Sequence, residues 1–295
     1  MTTTTAETAP APRKQGESLW SKAARKLLRD RWGMTSLVIV LVYLGVALGV
    51  WAGLWGQDWN TLTPTINAEA SAEHWFGTNR NGQDIFERSI FSTKTAFEIG
   101  LVVAVLSTVL GAIMGAISGF FAGRWPDEII LWLKGVLDSI PFYLFVAAVA
   151  FALQGYAFSM HVAMVATFWT TTARLVRAEV IRLKGFEFVE AAHALGVPEW
   201  QIISRHIIPN TTHILLVQAT ITFVSAIKSE VILSFLGLGV KNGVSWGLMI
   251  SESTNEVTTG FFNNFLAASV FLFVLVMAFN MFSDALQDAF DPKKT

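Results

Sequence analysis

The chain of 295 residues carries 21 Lys and Arg against 22 Asp and Glu, is 53% hydrophobic and contains no cysteine. Such an apolar composition, with a mean hydropathy of +0.51, excludes a single soluble domain, whose surface would need more polar cover, and assigns the bulk of the chain to lipid. The missing cysteines exclude disulfides, thiolate metal sites and cysteine nucleophiles, and a net charge of −1 gives no reason to expect nucleic acid as a partner.

Residues 1–32 read as a tail. Met1–Pro12, rich in Thr, Ala and Pro, has the composition of a disordered segment. Ser18–Trp32 is a basic amphipathic stretch that suits the membrane surface, as a plain anchor in preference to a calmodulin-like or lipid-sensing helix. A spanning helix takes about 20 mostly apolar residues. That template predicts six spans, over Gly33–Trp55, Ala96–Phe121, Ile129–Phe151, Tyr156–Thr172, Thr211–Leu236 and Gly260–Phe282. The first, residues 33–55, is too long for a signal-peptide core and lacks a small-residue cleavage site, so it is expected to remain as a helix. Residues 56–95 then form an external loop, 96–285 a five-helix core containing a polar loop at 185–210, and 286–295 a second tail. In the second span Gly111, Gly115 and Gly119 make a smooth stripe for close helix packing. The third is interrupted by Lys134, Asp138 and Pro141, so its first turns should be interfacial or protein-packed, with Lys134 and Asp138 paired at helical spacing.

Orientation follows from the cations, because loops rich in Lys and Arg stay in the cytoplasm. Seven precede the first span, and Arg174, Arg177, Arg182, Lys184 and Arg205 flank the polar loop. Arg124, Lys134, Lys293 and Lys294 fall on the same side. Only Arg80, Arg88, Lys94 and Lys241 occupy loops of the other, with Lys228 inside a span. Sixteen against four assigns both termini and the polar loop to the cytoplasm.

That loop, EAAHALGVPEWQIISRHIIPN from Glu190 to Asn210, has its own internal logic. Glu187–Leu195 reads as a short helix whose early acidic residues favour the positive end of the helix dipole. Gly196 supplies a left-handed stop, and Pro198 suits the first turn of a second helix. The second helix puts Ile202, Ile203 and Ile207 on one face and is expected to end before Pro209. Two short helices at a glycine-set angle make a compact knob, which Ala191, Ala192 and Ala194 keep shallow enough for another protein to approach.

Three segments carry a resemblance. The Glu-Ala-Ala…Gly…Pro-Asn loop resembles the cytoplasmic coupling loop of bacterial ABC importer permeases. HWFGTNRNGQDIFERSIF (His74–Phe91) resembles the FGT-x-x-x-G-x-D signature of dipeptide and oligopeptide importer permeases, with Asn79 and Gln83 where the family usually has Asp and Arg. SEVILSFLGLGVKNGVSWGLMI (Ser229–Ile250) resembles their Glu-x-x-LSFLGLG…WG segment, and DAFDPK (Asp288–Lys293) closes the match. The resemblance implies an all-α integral membrane fold of the type I ABC importer permease architecture, with six transmembrane helices and both termini cytoplasmic. It implies a non-catalytic subunit in the bacterial inner membrane, working with a second, related permease, two ATPase subunits and an external substrate-binding protein. Glu190, Ala191, Ala192, Ala194, Leu195 and Gly196 would meet the ATPase, with His206, Pro209 and Asn210 closing the motif. Many members have a basic residue where this chain has His193. No cofactor would be bound directly; ATP and Mg would be used by the partner ATPase, consistent with the absence of a G-x-x-x-x-G-K-[ST] loop. Short peptides are the first substrate class implied, with nickel complexes and oligosaccharides carried by close relatives.

Two rival chemistries fare less well on the residues themselves. Gly243-Val244-Ser245-Trp246-Gly247 matches the G-x-S-x-G nucleophile elbow, but an elbow needs a strand-to-helix turn and a His base, and no His follows His213. A stand-alone ion-coupled transporter or channel would be expected to show acidic or histidine residues deep in the midplane, and spans one, two, four and six have no acidic residue near their centres. Charges within spans remain informative. Lys228 lies toward the outer end of span five and is long enough to snorkel. Glu230 is shorter, and its place in the family segment suggests the translocation path or outer gate, where it would meet a substrate amino group. Glu98, at the outer start of span two, is a third such candidate.

Overall fold

The structure, a computed structural model, describes residues 19–153, 156, 158–240 and 243–291. The expected disordered segment Met1–Pro12 and the cations Lys241, Lys293 and Lys294 lie outside the described residues. Each regular element among the described residues is helical, and a single bridge between Thr78 and Asp84 braces the loop before the third helix. In chain order these are α1 (Leu19–Arg29), α2 (Arg31–Trp51), α3 (Ile85–Phe120), α4 (Trp125–Ser139), α5 (Phe142–Ala152), α6 (Ser159–Lys184), α7 (Glu187–Ala194) and α8 (Glu199–Gln201). A π-helical turn (Ile202–Ile207) follows, then α9 (Ile208–Phe235), α10 (Trp246–Thr258) and α11 (Asn263–Phe290).

Four helical runs are long and apolar enough to cross a membrane: α2, α3, the continuous Glu199–Phe235 run and α11. The pair α4 and α5, bent by 94° at the Ile140–Pro141 break, makes a fifth if counted as one span. Six spans were expected, and α6 is the difference. Its 26 residues are long enough, but Ser159, His161, Thr167 and the Thr170–Thr172 run dilute its apolar half, and Arg174, Arg177, Glu179, Arg182 and Lys184 fill the other. The helix nevertheless buries Met164, Val176 and Val180 completely, because it packs against protein along its length.

Two boundaries also differ from the expectation. Helix α3 begins eleven residues before Ala96, capped by Asp84, whose carboxylate accepts the Glu87 N–H at 2.9 Å. Its first turns contain Arg88, Ser89, Ser92, Thr93 and Thr95, polar residues that suggest a loop by composition yet are buried against neighbouring helices. The second helix of the polar loop does not end before Pro209. It widens into the π turn, where the Ile208 N–H reaches back to the Ile203 carbonyl, and continues as α9 with Pro209 in its first turn. A proline clashes with the carbonyl four residues back and brings no donor, and a five-residue turn just before it relieves both demands. As expected, Lys134 Nζ donates to Asp138 at 2.5 Å, one turn on.

The centre of the fold is α3, flanked by α6 and α9. Toward α9 and α11 an aromatic cluster forms, with Phe223 stacked on Phe279 at 4.1 Å and edge-on to Phe97 at 5.4 Å. Toward α6 the contact is backbone against backbone. A methyl group on Gly111 would lie 2.7 Å from the Trp169 carbonyl, one on Gly115 2.5 Å from that of Ala173, and one on Gly119 2.7 Å from that of Arg177. The glycine stripe read from the sequence therefore sets the separation of these two helices. We expect Gly115→Leu to destabilise the detergent-solubilised protein by at least about 1–3 kcal/mol, the cost of overpacking. Gly135→Leu, at a position with nothing within 4 Å, should leave the thermal unfolding midpoint unchanged.

Candidate functional site

The polar loop folds into the expected knob. Helix α7 ends at Gly196, which takes a φ of +73°. The Gly196 N–H donates to His193 O at 2.9 Å and the Val197 N–H to Ala192 O at 3.1 Å, the paired bonds that close a helix on a left-handed residue. Helical spacing turns Val189 and Ala192 inward onto Phe120, Val176, Val180 and Leu183, where Ile202 and Ile207 join them. The outer face carries Glu190, Ala191, Ala194, Leu195 and Gly196, all exposed. Of the Glu-Ala-Ala triplet, then, Ala192 belongs to the knob's own core, while Glu190 and Ala191 face outward. His206 is half-buried in the π turn, its carbonyl accepting from Asn210 Nδ2 at 2.6 Å. Pro209 and Asn210 are exposed on the first turn of α9, and among the described residues no hydrogen bond joins them to α7.

Exposed apolar side chains cluster on the knob. Leu195 is 83% exposed and Trp200 63%, with Phe186 and Phe188 partly exposed beside them. Large apolar side chains clustered on an otherwise polar loop lose free energy in water and gain it against a partner. The sequence reading named Leu195 but passed over Trp200, whose apolar bulk among Glu199 and Gln201 was the available signal.

Beneath the knob lies a clasp that the sequence reading missed. Asp127, buried at the start of α4, accepts two parallel bonds from Arg177 of α6, Nε and Nη2 both at 2.8 Å. It also accepts from Ser118 Oγ of α3 at 2.5 Å and from the Gly123 N–H at 3.0 Å. One carboxylate thus joins three helices by a bidentate, charge-assisted pair. Lys184 Nζ adds a bond to the Phe120 carbonyl at 2.6 Å while His193 stacks on the Phe120 ring, tying the end of α6 and the end of α7 to the end of α3.

The candidates at the other end of the molecule separate into different roles. Glu230, 4% exposed, accepts from Ser234 Oγ at 2.5 Å and from Ser245 Oγ at 2.6 Å. Ser245 in turn accepts the Leu248 N–H at 3.1 Å, capping α10. Gly247 allows this approach, since a methyl group there would lie 2.7 Å from Val231 Cα. Glu230 thus fastens α10 onto α9, and the serine of the G-x-S-x-G match is a cap and a donor with no histidine beside it. Lys228 is exposed and has no ion-pair partner among the described residues. Glu98 is half-buried and lines a cavity with Lys94 and His161. The three candidates do not converge on one site.

A second polar network holds the outer loop. Arg88, 2% exposed, donates to Gln83 Oε1 and to Glu252 of α10, the latter at 2.5 Å. Gln83 also accepts from Asn79 Nδ2 at 2.9 Å, and Glu256 accepts the Arg80 N–H at 2.8 Å. Asn79 and Gln83 form a neutral hydrogen-bonded pair where the resembled signature has an acid and a base. Burial pushes the Glu252 carboxyl up from its ordinary value, although the Arg88 guanidinium pulls it down.

The family of binding-protein-dependent transport system inner membrane components matches residues 107–295. An oligopeptide transport system permease protein of Bacillus subtilis is 35% identical over 281 residues, covering 95% of this chain and 92% of its own. A dipeptide transport system permease protein of the same organism is 32% identical over 273 residues, covering 92% and 85%. An oligopeptide transport system permease protein of Escherichia coli is 34% identical over 282 residues, covering 95% and 93%.

Removing one partner of the buried clasp should cost far more than removing an exposed ion pair. Asp127→Ala is expected to destabilise the protein by about 3 kcal/mol, leaving Arg177 unpaired. Lys134→Ala should cost less than about 1 kcal/mol, because Asp138 is largely solvated. Thermal unfolding of the two variants in detergent gives the comparison directly; equal losses would deny the clasp its structural role.

Proposed function

The chain belongs to the family of binding-protein-dependent transport system inner membrane components, and from that premise we propose that it forms one membrane half of an ATP-driven importer of short peptides. It is a multi-pass protein of the bacterial cytoplasmic membrane. On this reading a second, related permease completes the pathway, two ATPase subunits hydrolyse Mg-ATP on the cytoplasmic side, and an external binding protein delivers the peptide. The chain is non-catalytic, and α6 with the broken α4–α5 pair completes six spans with both termini in the cytoplasm.

The observation that carries this reading is the knob: the glycine-terminated α7 and the short α8, which present Leu195 and Trp200 to solvent over the clasp that joins α3, α4 and α6. An ATPase groove closing on Glu190, Ala191, Ala194, Leu195 and Gly196 would move the helices beneath it, because Val189, Ala192, Ile202 and Ile207 are packed into them. His206, Pro209 and Asn210 would close the contact from the α9 side. Closure of the ATPases would draw the two knobs of the assembly together and open the cavity outward, and hydrolysis would reverse it, a two-state rocking motion. The outer segment before α3, residues 57–84, and the α10 segment, residues 243–259, would receive the binding protein. Glu230 and Lys228 would serve the outer gate, Glu230 by holding α10 on α9.

The peptide substrate is supported by the names of the relatives, oligopeptide and dipeptide permeases at 32–35% identity. The reading is tested by affinity capture of the tagged protein from gently solubilised native membranes. Wild type should bring down an ATPase and Ala194→Arg should not, since Ala194 is exposed on α7 and a long side chain there obstructs a partner without the backbone strain that any substitution at Gly196, with its φ of +73°, would add. Capture of no ATPase by wild type would overturn it.

A further inference from the structure

At the ends of α3 and α6 remote from the knob lies a cavity of about 140 Å³, lined by Lys94, Glu98 and His161 with apolar walls that include Ile99, Tyr156 and Met160. Glu98 is 22 residues from Phe120, so the cavity stands about 33 Å along α3 from the knob. Its polar groups are unspent. His161 is only 7% exposed, yet neither ring nitrogen has a hydrogen-bond partner among the described residues. Buried polar side chains are nearly always satisfied, so such an orphan facing a cavity points to a missing partner. Lys94 and Glu98 are four residues apart and positioned to pair, but they form no ion pair with each other or with any other described residue. Lys94 instead lies over the Phe91 ring at 5.0 Å, and the Glu98 carboxylate is within electrostatic reach of His161.

We infer that this cavity binds a short zwitterionic peptide, with its ammonium group on Glu98 and His161 and its carboxylate on Lys94. A neutral imidazole presents one acceptor nitrogen and one N–H, which suits an ammonium group and an adjacent peptide carbonyl. One helical turn separates Lys94 from Glu98, a rise of about 6 Å, and two extended residues span about 7 Å. The two backbone positions are thus about as far apart as a dipeptide is long, so a dipeptide with both termini free can reach both side chains. The volume admits small side chains, and the apolar walls accept them without demanding a particular one. Glu230 is buried with Oε1 bonded to two serines and does not line this cavity, whereas Glu98 is half-buried and does.

The inference rests on the importer reading and names where its cargo pauses inside the membrane. Its test uses the tagged protein purified with its native partners and without the external binding protein, with equilibrium dialysis of radiolabelled Ala-Ala. Binding should saturate, and N-acetyl-Ala-Ala-amide should compete at least tenfold less well. Glu98→Gln should abolish the preference for a free amine and Lys94→Gln that for a free carboxylate, while Glu98→Asp retains the first in part. Equal competition by free and doubly capped peptide on wild type, which involves no variant, would overturn the inference. So would absent binding in a preparation that still contains an ATPase. A preparation that binds the zwitterion but contains no ATPase would leave the pocket standing and remove the importer reading.

Discussion

The contact on which the molecule depends is the bare backbone seam between α3 and α6. Gly111, Gly115 and Gly119 bring the two helices so close that a methyl group at any of them would press on a carbonyl across the seam. In lipid there is little hydrophobic force between helices, and association comes from close van der Waals packing and from satisfied polar groups. The seam supplies the first and the Asp127–Arg177–Ser118 clasp the second, at the same end of the pair. With the seam fixed, the knob has a floor of Phe120, Val176, Val180 and Leu183 to sit on.

The same seam joins the knob and the cavity, the two sites of the proposed function, through one pair of helices. The knob grips the ends of α3 and α6 on one side, and the cavity of Lys94, Glu98 and His161 lies between the opposite ends of the same two helices. On the proposed function a displacement at the knob would reach the cavity along these two packed helices. The loop that carries α10 is held separately, by Glu230 with its two serines and by the Arg88–Glu252 pair, which join α10 to α9 and α3. Those are the bonds an outer gate would break and remake.

Much of this was legible in the residues. The knob followed from a glycine at the right distance after Glu190 and from the spacing of Ile202 and Ile207, since a left-handed stop and a helical face are local properties. The glycine stripe and the Lys134–Asp138 pair were legible for the same reason. What escaped was set by distant partners. The first turns of α3 look like a loop because Arg88, Ser92 and Thr95 are polar, and only α10 and its preceding loop make them interior. Arg177 was legible as one more cytoplasmic cation, but its role depends on Asp127, 50 residues away in the chain. Helix α6 was expected as an ordinary span, yet its polar half keeps it below the apolarity of the other spans and it packs against protein along its length. Glu98, Lys228 and Glu230 looked alike as charges in apolar surroundings, and the fold gives each a different neighbourhood.

The absence of native cysteine permits a direct test of the central claim, that the knob is the joint to the ATPase. A single Leu195→Cys change adds a reactive thiol at the most exposed apolar point of the knob, and a short thiol-to-amine cross-linker applied to native membranes reports its neighbour. The account predicts one dominant adduct, with a protein bearing a phosphate-binding loop, whose yield changes when ATP is added. A thiol that reacts freely but yields no such adduct, with or without ATP, would contradict it.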